Sequence, residues 1–275
     1  MTRAVAASAC VLAAAAAAFT ASPAASAAPE RKFVVVREHS AGTASRAQPY
    51  LDQLLAVVGK QNQWPNVSGR YFAEREPALD FIAKEKPDFG IFSLSAFLSL
   101  KSTLSLDVVG EVLAPKAGGK QYFLLSKSAH DLEGCKAHKL STVLGSDAKF
   151  VDRVVARGAF KLADMTLVEA RRPLEPLKQV LRGEADCALV DDAQVEASHH
   201  IEQGDELKPV WHSAELPGMA VVAFPRADAA AVAAFKKTLA GLCSAAREAC
   251  ATVGIDSLKP AGDDRYRAAL DAYSK

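Results

Sequence analysis

The 275-residue sequence has no strong excess of charge of either sign. Its 33 basic and 32 acidic residues leave a formal charge of +1, so no global field draws it to nucleic acid or to an acidic surface. No basic run with interleaved aromatics occurs, which sets nucleic-acid binding aside. There is no glycine-rich phosphate loop, no G-x-S-x-G elbow and no H-E-x-x-H, so the common nucleotide, hydrolase and zinc-protease signatures are missing. After residue 19 there is no apolar run long enough to cross a bilayer. His199 and His200 are adjacent and so point about 100° apart on a helix, and with His212 they make no metal site. No cofactor or metal is expected. An exchangeable nucleophile is not visible either: His39 and Ser40 are only neighbours in sequence, without a base placed by the fold.

What is present begins with an export signal. "MTRAVAASACVLAAAAAAFTASPAASAA" has an early Arg3, an apolar run over Ala4 to Phe19, and small residues at Ala25-Ser26-Ala27. Cleavage there makes Ala28 the new N-terminus and places the mature chain in the periplasm or outside the cell. The competing readings, a membrane anchor or lipidation of Cys10, suit the short, alanine-rich run poorly. Four cysteines remain in an oxidising compartment. Cys243 and Cys250 lie about 10 Å apart along one continuous helix, too far to bridge. They are expected to pair if the helix breaks near Ser244. Cys135 and Cys187 read equally as a second bridge or as two buried thiols.

The remaining 248 residues read as α/β. Lys32 to Val36 ("KFVVV") is a first strand, a polar loop follows, and Tyr50, Leu51, Leu54, Leu55 and Val58 recur at helical spacing up to Gly59. "GRYFAE" is a second strand. Then an internal repeat appears. "EPALDFIAKEKPDFGIFSLS" (76–95) and "EPLKQVLRGEADCALVDDA" (175–193) each open on Glu-Pro, continue at helical spacing, pass an aspartate and end in a short apolar strand. Asp88 matches Asp186, and Ser93 matches Asp191. Two copies about 100 residues apart imply two lobes of like architecture. The chain is expected to form lobe 1 from 28–126 and 213–275 and lobe 2 from 127–212, with two crossing segments as a hinge.

In open α/β sheets, ligands bind outside the carboxyl ends of the strands. Those ends offer His39, Ser40 and Thr43, then Ser93 and Ser95, Ser146 and Asp147, Arg171 and Arg172, and Asp191 and Asp192. Facing lobes bring these groups to one cleft, with Tyr71 and Tyr122 as walls.

At these residues, in "EPALDFIAKEKPDFGIFSLSAFL", "DLEGCKAHKLSTVLGSDAKF", "PLKQVLRGEADCALVDDAQ" and "GDDRYRAALDAY", the sequence resembles the type 2 periplasmic-binding-protein fold. Within it, the resemblance is to the phosphate, phosphite and phosphonate substrate-binding proteins of ABC transporters, and it covers about Lys32 to Tyr273. It implies a two-lobed, monomeric protein that captures a small oxyanion for an ABC permease and is not an enzyme. The same fold also serves as a sensor or accessory binder without a permease, and less often as an enzyme. By resemblance Ser146 sits at the family's hydroxyl-rich anion loop. Here "LGSDAKF" lacks the run of hydroxyls, and Asp147 is either a cleft residue or the helix cap. Arg172 is a bidentate ligand contact or half of a solvated pair. Asp191 is a contact for a cationic amine, an interlobe ion pair or a cap.

Overall fold

The computed structural model describes residue 1 and residues 30–39, 43–114, 118–252 and 254–275. The expected export signal, past Met1, and the candidate site residue Ser40 lie outside the described residues. Among those described, no helix is long and apolar enough to cross a membrane.

The elements run β1 (Arg31–Val36), α1 (Ala44–Asn62), β2 (Val67–Phe72), α2 (Arg75–Glu85), β3 (Phe89–Phe92), α3 (Leu94–Leu100), β4 (Asp107–Leu113) and β5 (Tyr122–Ser126). They continue with β6 (Lys139–Thr142), α4 (Ala148–Phe150, widening into a π-helical turn over Val151–Val155), β7 (Thr166–Glu169), α5 (Glu175–Leu181), β8 (Cys187–Asp191) and α6 (Asp192–Ser198). Then come β9 (Lys208–His212), β10 (Met219–Ala223), α7 (Ala229–Thr238), α8 (Leu242–Ala245), α9 (Arg247–Thr252), β11 (Ser257–Pro260) and α10 (Arg267–Ser274).

Two sheets form. One has the order β11-β4-β10-β3-β1-β2, the other β7-β6-β8-β5-β9. In the first, β1 lies parallel between β2 and β3, and β10 runs antiparallel to β3. In the second, β6 lies parallel between β7 and β8, and β5 runs antiparallel to β8. The series β2-β1-β3-β10 therefore has its counterpart in β7-β6-β8-β5.

The internal repeat is carried by matching hydrogen bonds. Asp88 accepts the Lys32 N–H at 2.9 Å and donates its own N–H to the Lys32 carbonyl. Asp186 does the same with Lys139, again at 2.9 Å. Each aspartate ties the turn before its strand to the start of the neighbouring parallel strand. Ser93 and Asp191 occupy the same place too, at the N-caps of α3 and α6.

Two expectations need correction. The boundary at 126/127 is displaced, because Tyr122–Ser126 pairs with β8 and β9 and opens the second sheet. The first crossing thus lies between Leu113 and Tyr122; the second runs from His212 to Met219. Helix α1 does not end at Gly59 but runs to Asn62, where Gln63 takes the left-handed conformation and its N–H returns to the last turn. Gly59 serves packing instead: a Cβ there would sit 3.1 Å from both the Trp64 carbonyl and a Val67 methyl.

Both disulfides are formed. Cys243 and Cys250 meet across a break at Ala246, which leaves the helical region between α8 and α9. Cys135–Cys187 joins the turn before β6 to the first residue of β8. One apolar cluster is common to both lobes, with Phe92, Phe97 and Leu106 from the first and Tyr122, Phe150 and Val154 from the second. Helix α10 adds to this seam: the Tyr273 ring lies under Lys149 Nζ at 4.3 Å and its carbonyl accepts from Arg153 at 3.3 Å.

Candidate functional site

A cleft of about 340 Å³ opens between the lobes. Its walls come from the end of β1 (Arg37, Glu38, His39), the N-cap of α3 (Ser93, Ser95), Glu111 of β4, Tyr122 of β5, Asp191 at the end of β8, and both crossing segments. Strand ends and crossings meet there because the two sheets present their carboxyl edges to each other.

Five residues expected at the site line this cleft: His39, Ser93, Ser95, Tyr122 and Asp191. Ser93 stands out. It caps α3 without a side-chain hydrogen bond, and its buried Oγ has no partner among the described residues. A buried hydroxyl left unpaired is costly, so a group from outside the chain is its natural partner. Ser95 Oγ lies 3.4 Å from Glu38. His39 adopts a left-handed φ of 61°. Burial lowers its basicity; the carboxylates of Glu38 and Asp147 oppose this and Arg75 adds to it. The imidazole is therefore neutral near pH 7. Burial, with the charges of Asp191, Asp192 and Asp147, holds the Tyr122 phenol well above its ordinary range.

The two aspartates that end β8 divide their work. Asp192 accepts the N–H groups of Lys120 and Gln121 and so secures the first crossing segment. Asp191 faces the cleft and forms a capping box with Gln194, at 2.9 Å and 2.8 Å. Gly118 of the crossing, at φ 81°, lies against its carboxyl so closely that any Cβ would collide. Burial raises Asp191 to about 7; the Gln194 N–H opposes this, Asp192 adds to it and Arg37 opposes it. The sign of the linkage follows. A carboxyl whose folded value lies above its ordinary 3.8 stabilises the fold below that value, and the contribution is lost as pH rises through about 7. Asp191→Asn keeps an acceptor for the cap but no charge. It is expected to melt about 3 °C above the parent at pH 8 and to lose that advantage by pH 4, read by thermal melts.

The other candidates lie elsewhere. Thr43 is exposed at the start of α1 and pairs with Ser45 at 3.1 Å. Ser146 is exposed. Tyr71 lines a smaller neighbouring cavity. Arg172 is exposed, with its N–H on Glu175, and Arg171 pairs with Glu169. Neither arginine is among the residues that line the cleft, and Glu175 at the start of α5 accepts both of their N–H groups. Asp147 caps α4 through the Phe150 N–H and reaches Arg75 at 3.3 Å. The helix start at which the resemblance places an anion is thus filled by the chain's own carboxylate.

Several groups escaped the sequence reading. Arg37 and Glu38 directly precede His39 at the end of β1, so the strand-end rule pointed to them. Glu111 is a fully buried carboxylate inside the apolar strand "DVVGEVL", an anomaly visible in sequence. It accepts from Arg265 at 3.0 Å on both oxygens and from the Gly218 N–H at 2.9 Å. Burial works against its charge, but these donors hold it below the usual carboxylate range. Arg75 joins Glu38 through two hydrogen bonds, at 3.0 Å and 2.7 Å, while also holding Asp147.

Comparison with solved structures settles the fold. An ATP-bound protein of Xanthomonas citri superposes with a TM-score of 0.67 at 12% identity, over 89% of this chain and 96% of that one. This is a type 2 periplasmic-binding-protein fold. Methylphosphonate-bound PhnD1 of Prochlorococcus marinus gives 0.65 at 9% identity, over 88% and 96%. The binding-protein component of an ABC phosphonate transporter from Pseudomonas aeruginosa gives 0.59 at 15%, over 86% and 83%. The family model for the periplasmic phosphonate substrate-binding protein of ABC transporters matches residues 161–266, from before β7 to the turn before α10. A search of curated proteins finds no significant sequence match. The similarity within this two-lobed fold is thus to the phosphonate-type substrate-binding proteins, as the sequence motifs implied.

Proposed function

We propose that this chain is an exported solute-binding protein that captures a small oxyanion between its lobes and delivers it to an ABC permease. The observation that carries the reading is Ser93 Oγ, buried at the wall of the interlobe cleft and unpaired among the described residues. A hydroxyl donor in that position calls for an acceptor such as a phosphonate oxygen. Arg37, from the adjoining strand end, brings positive charge to the same wall, and the neutral His39 and Tyr122 offer further hydrogen bonds. Below about pH 7 a protonated Asp191 adds a donor, and above it a carboxylate repels an anion. The match of residues 161–266 to the phosphonate-type family supports delivery to a permease over catalysis.

Ser93→Ala tests the role of the hydroxyl. Titration calorimetry with methylphosphonate is expected to show an affinity loss of about ten- to a hundred-fold relative to the parent, the range for a hydrogen bond to a charged group. Unaltered affinity would remove Ser93 from the site.

A further inference from the structure

A cluster of three charged side chains joins the lobes on the side of the cleft away from the crossing segments. In the first sheet the crossings attach to β4 and β10, and β1 lies two strands beyond β10. In the second they attach to β5 and β9, and β6 lies two strands beyond β5. At the usual strand spacing β1 and β6 are each about 10 Å from the nearer crossing. Between lie β3 and β8, whose ends carry the cleft residues Ser93 and Asp191. β1 and β6 hold equivalent places in the two lobes, and a carboxylate follows each, Glu38 after β1 and Asp147 after β6. Arg75, at the start of α2, joins the two. Its Nη2 lies 2.7 Å from Glu38 and 3.3 Å from Asp147, and its Nε–H donates a second bond to Glu38 at 3.0 Å. The neighbouring His39 imidazole lies near enough to feel all three charges, which places the cluster beside the cleft wall.

We propose that the lobes turn about the two crossings and that the Arg75–Asp147 pair is a latch, which holds them together and has to break each time the cleft opens. Rotation about a hinge moves nearby points least and distant ones most, so the far edge of the cleft separates first. Arg75 stays with Glu38 when the second lobe swings away, because both belong to the first lobe and share two hydrogen bonds. The guanidinium thereby keeps its orientation and takes Asp147 back on closing. The side chains of Glu38 and Asp147 are almost wholly buried, so salt and water screen the pair only in part. On the same stretch of the second lobe, Lys149 and Arg153 contact Tyr273 of α10 and add to this seam. All the groups belong to the chain, so the latch acts with any ligand of the cleft or with none. It favours the closed form equally before and after capture, and therefore slows entry and exit alike while leaving affinity nearly unchanged.

The test is a distance measurement between the lobes by double electron–electron resonance, on the purified protein with no ligand added. Spin labels are attached at Asp80→Cys in α2 and Thr166→Cys in β7, both exposed positions on the side away from the crossings. Asp147→Asn removes the charge, keeps an acceptor for the α4 cap and leaves Arg75 paired with Glu38, so no charge is stranded. In that variant the ratio of the longer to the shorter separation is expected to rise about five-fold over the parent, the weight of an ion pair at the strong end of the surface range. An unchanged distribution, or a shift to shorter separation, would overturn the inference. If Asp147→Asn fails to fold, Asp147→Ser, which caps a helix equally well without charge, takes its place with the same two outcomes. No ligand enters the measurement, so its failure leaves the oxyanion reading standing, and the failure of that reading leaves the latch standing.

Discussion

Replacing Arg75 with methionine is expected to destabilise the protein by about 3–5 kcal/mol at pH 7, among the largest losses from any single substitution. Arg75 is the guanidinium that Glu38 and Asp147 have in common, and their side chains are only 9% and 10% exposed. Removing it leaves two carboxylates close together with little water to compensate them. Arg75 and Glu38 belong to the first lobe and Asp147 to the second, so the loss falls on the seam between lobes. Chemical denaturation of the variant reads the cost directly. Adding Glu38→Gln and Asp147→Asn to Arg75→Met is expected to recover most of the loss, since the penalty lies in the stranded charges and not in the missing bonds. A loss under about 1 kcal/mol would mean that the triad behaves as a solvated surface pair.

The second large effect concerns the disulfides, which should differ in weight. Cys135–Cys187 closes a span of 52 residues and Cys243–Cys250 one of 7. With a loop-entropy treatment the longer is worth about 4 kcal/mol and the shorter about 2 kcal/mol. Paired alanine substitutions at each bridge, followed by urea unfolding, are expected to preserve that order. Cys135 and Cys187 are fully buried, so their loss also leaves a cavity in the core. Equal losses, or a greater loss from the Cys243–Cys250 pair, would contradict this assignment. Since β8 starts at Cys187 and ends at Asp191, the longer bridge also steadies the strand that carries a cleft residue.

Much of the fold was legible because it is written locally. Short apolar runs mark β1, β3 and β8, and the repeated Glu-Pro and Asp mark the two like lobes. The Asp88 and Asp186 hydrogen bonds show why the repeat survives in sequence: each aspartate satisfies two backbone groups where a turn meets a parallel strand. The cysteine spacing at 243 and 250 likewise forced a helix break. The cleft lining was legible where the strand-end rule applied, at His39, Ser93, Ser95 and Asp191, and at the wall residue Tyr122. Arg172 failed because nothing local distinguishes an arginine facing a cleft from one facing water. Asp147 is the helix cap that the sequence reading offered as one alternative, but its ion pair with Arg75, 72 positions away in the chain, had no local signal. The start of the second lobe was missed because nothing local assigns β5 to either sheet, and only pairing with β8 and β9 reveals the crossing.

The most direct test of the central claim, that the interlobe cleft takes a small oxyanion, is a thermal-shift measurement of the purified protein with alkylphosphonates, alkanesulfonates, phosphate and small carboxylates. A ligand at a hundred times its dissociation constant adds about 2.7 kcal/mol to stability. At about 2–4 °C per kcal/mol for a chain of this size, the melting point should rise by roughly 5–11 °C. The account predicts that rise with a phosphonate, and a reduced rise in Ser93→Ala. No shift with any phosphonate or sulfonate, or a shift indifferent to Ser93→Ala, would contradict it.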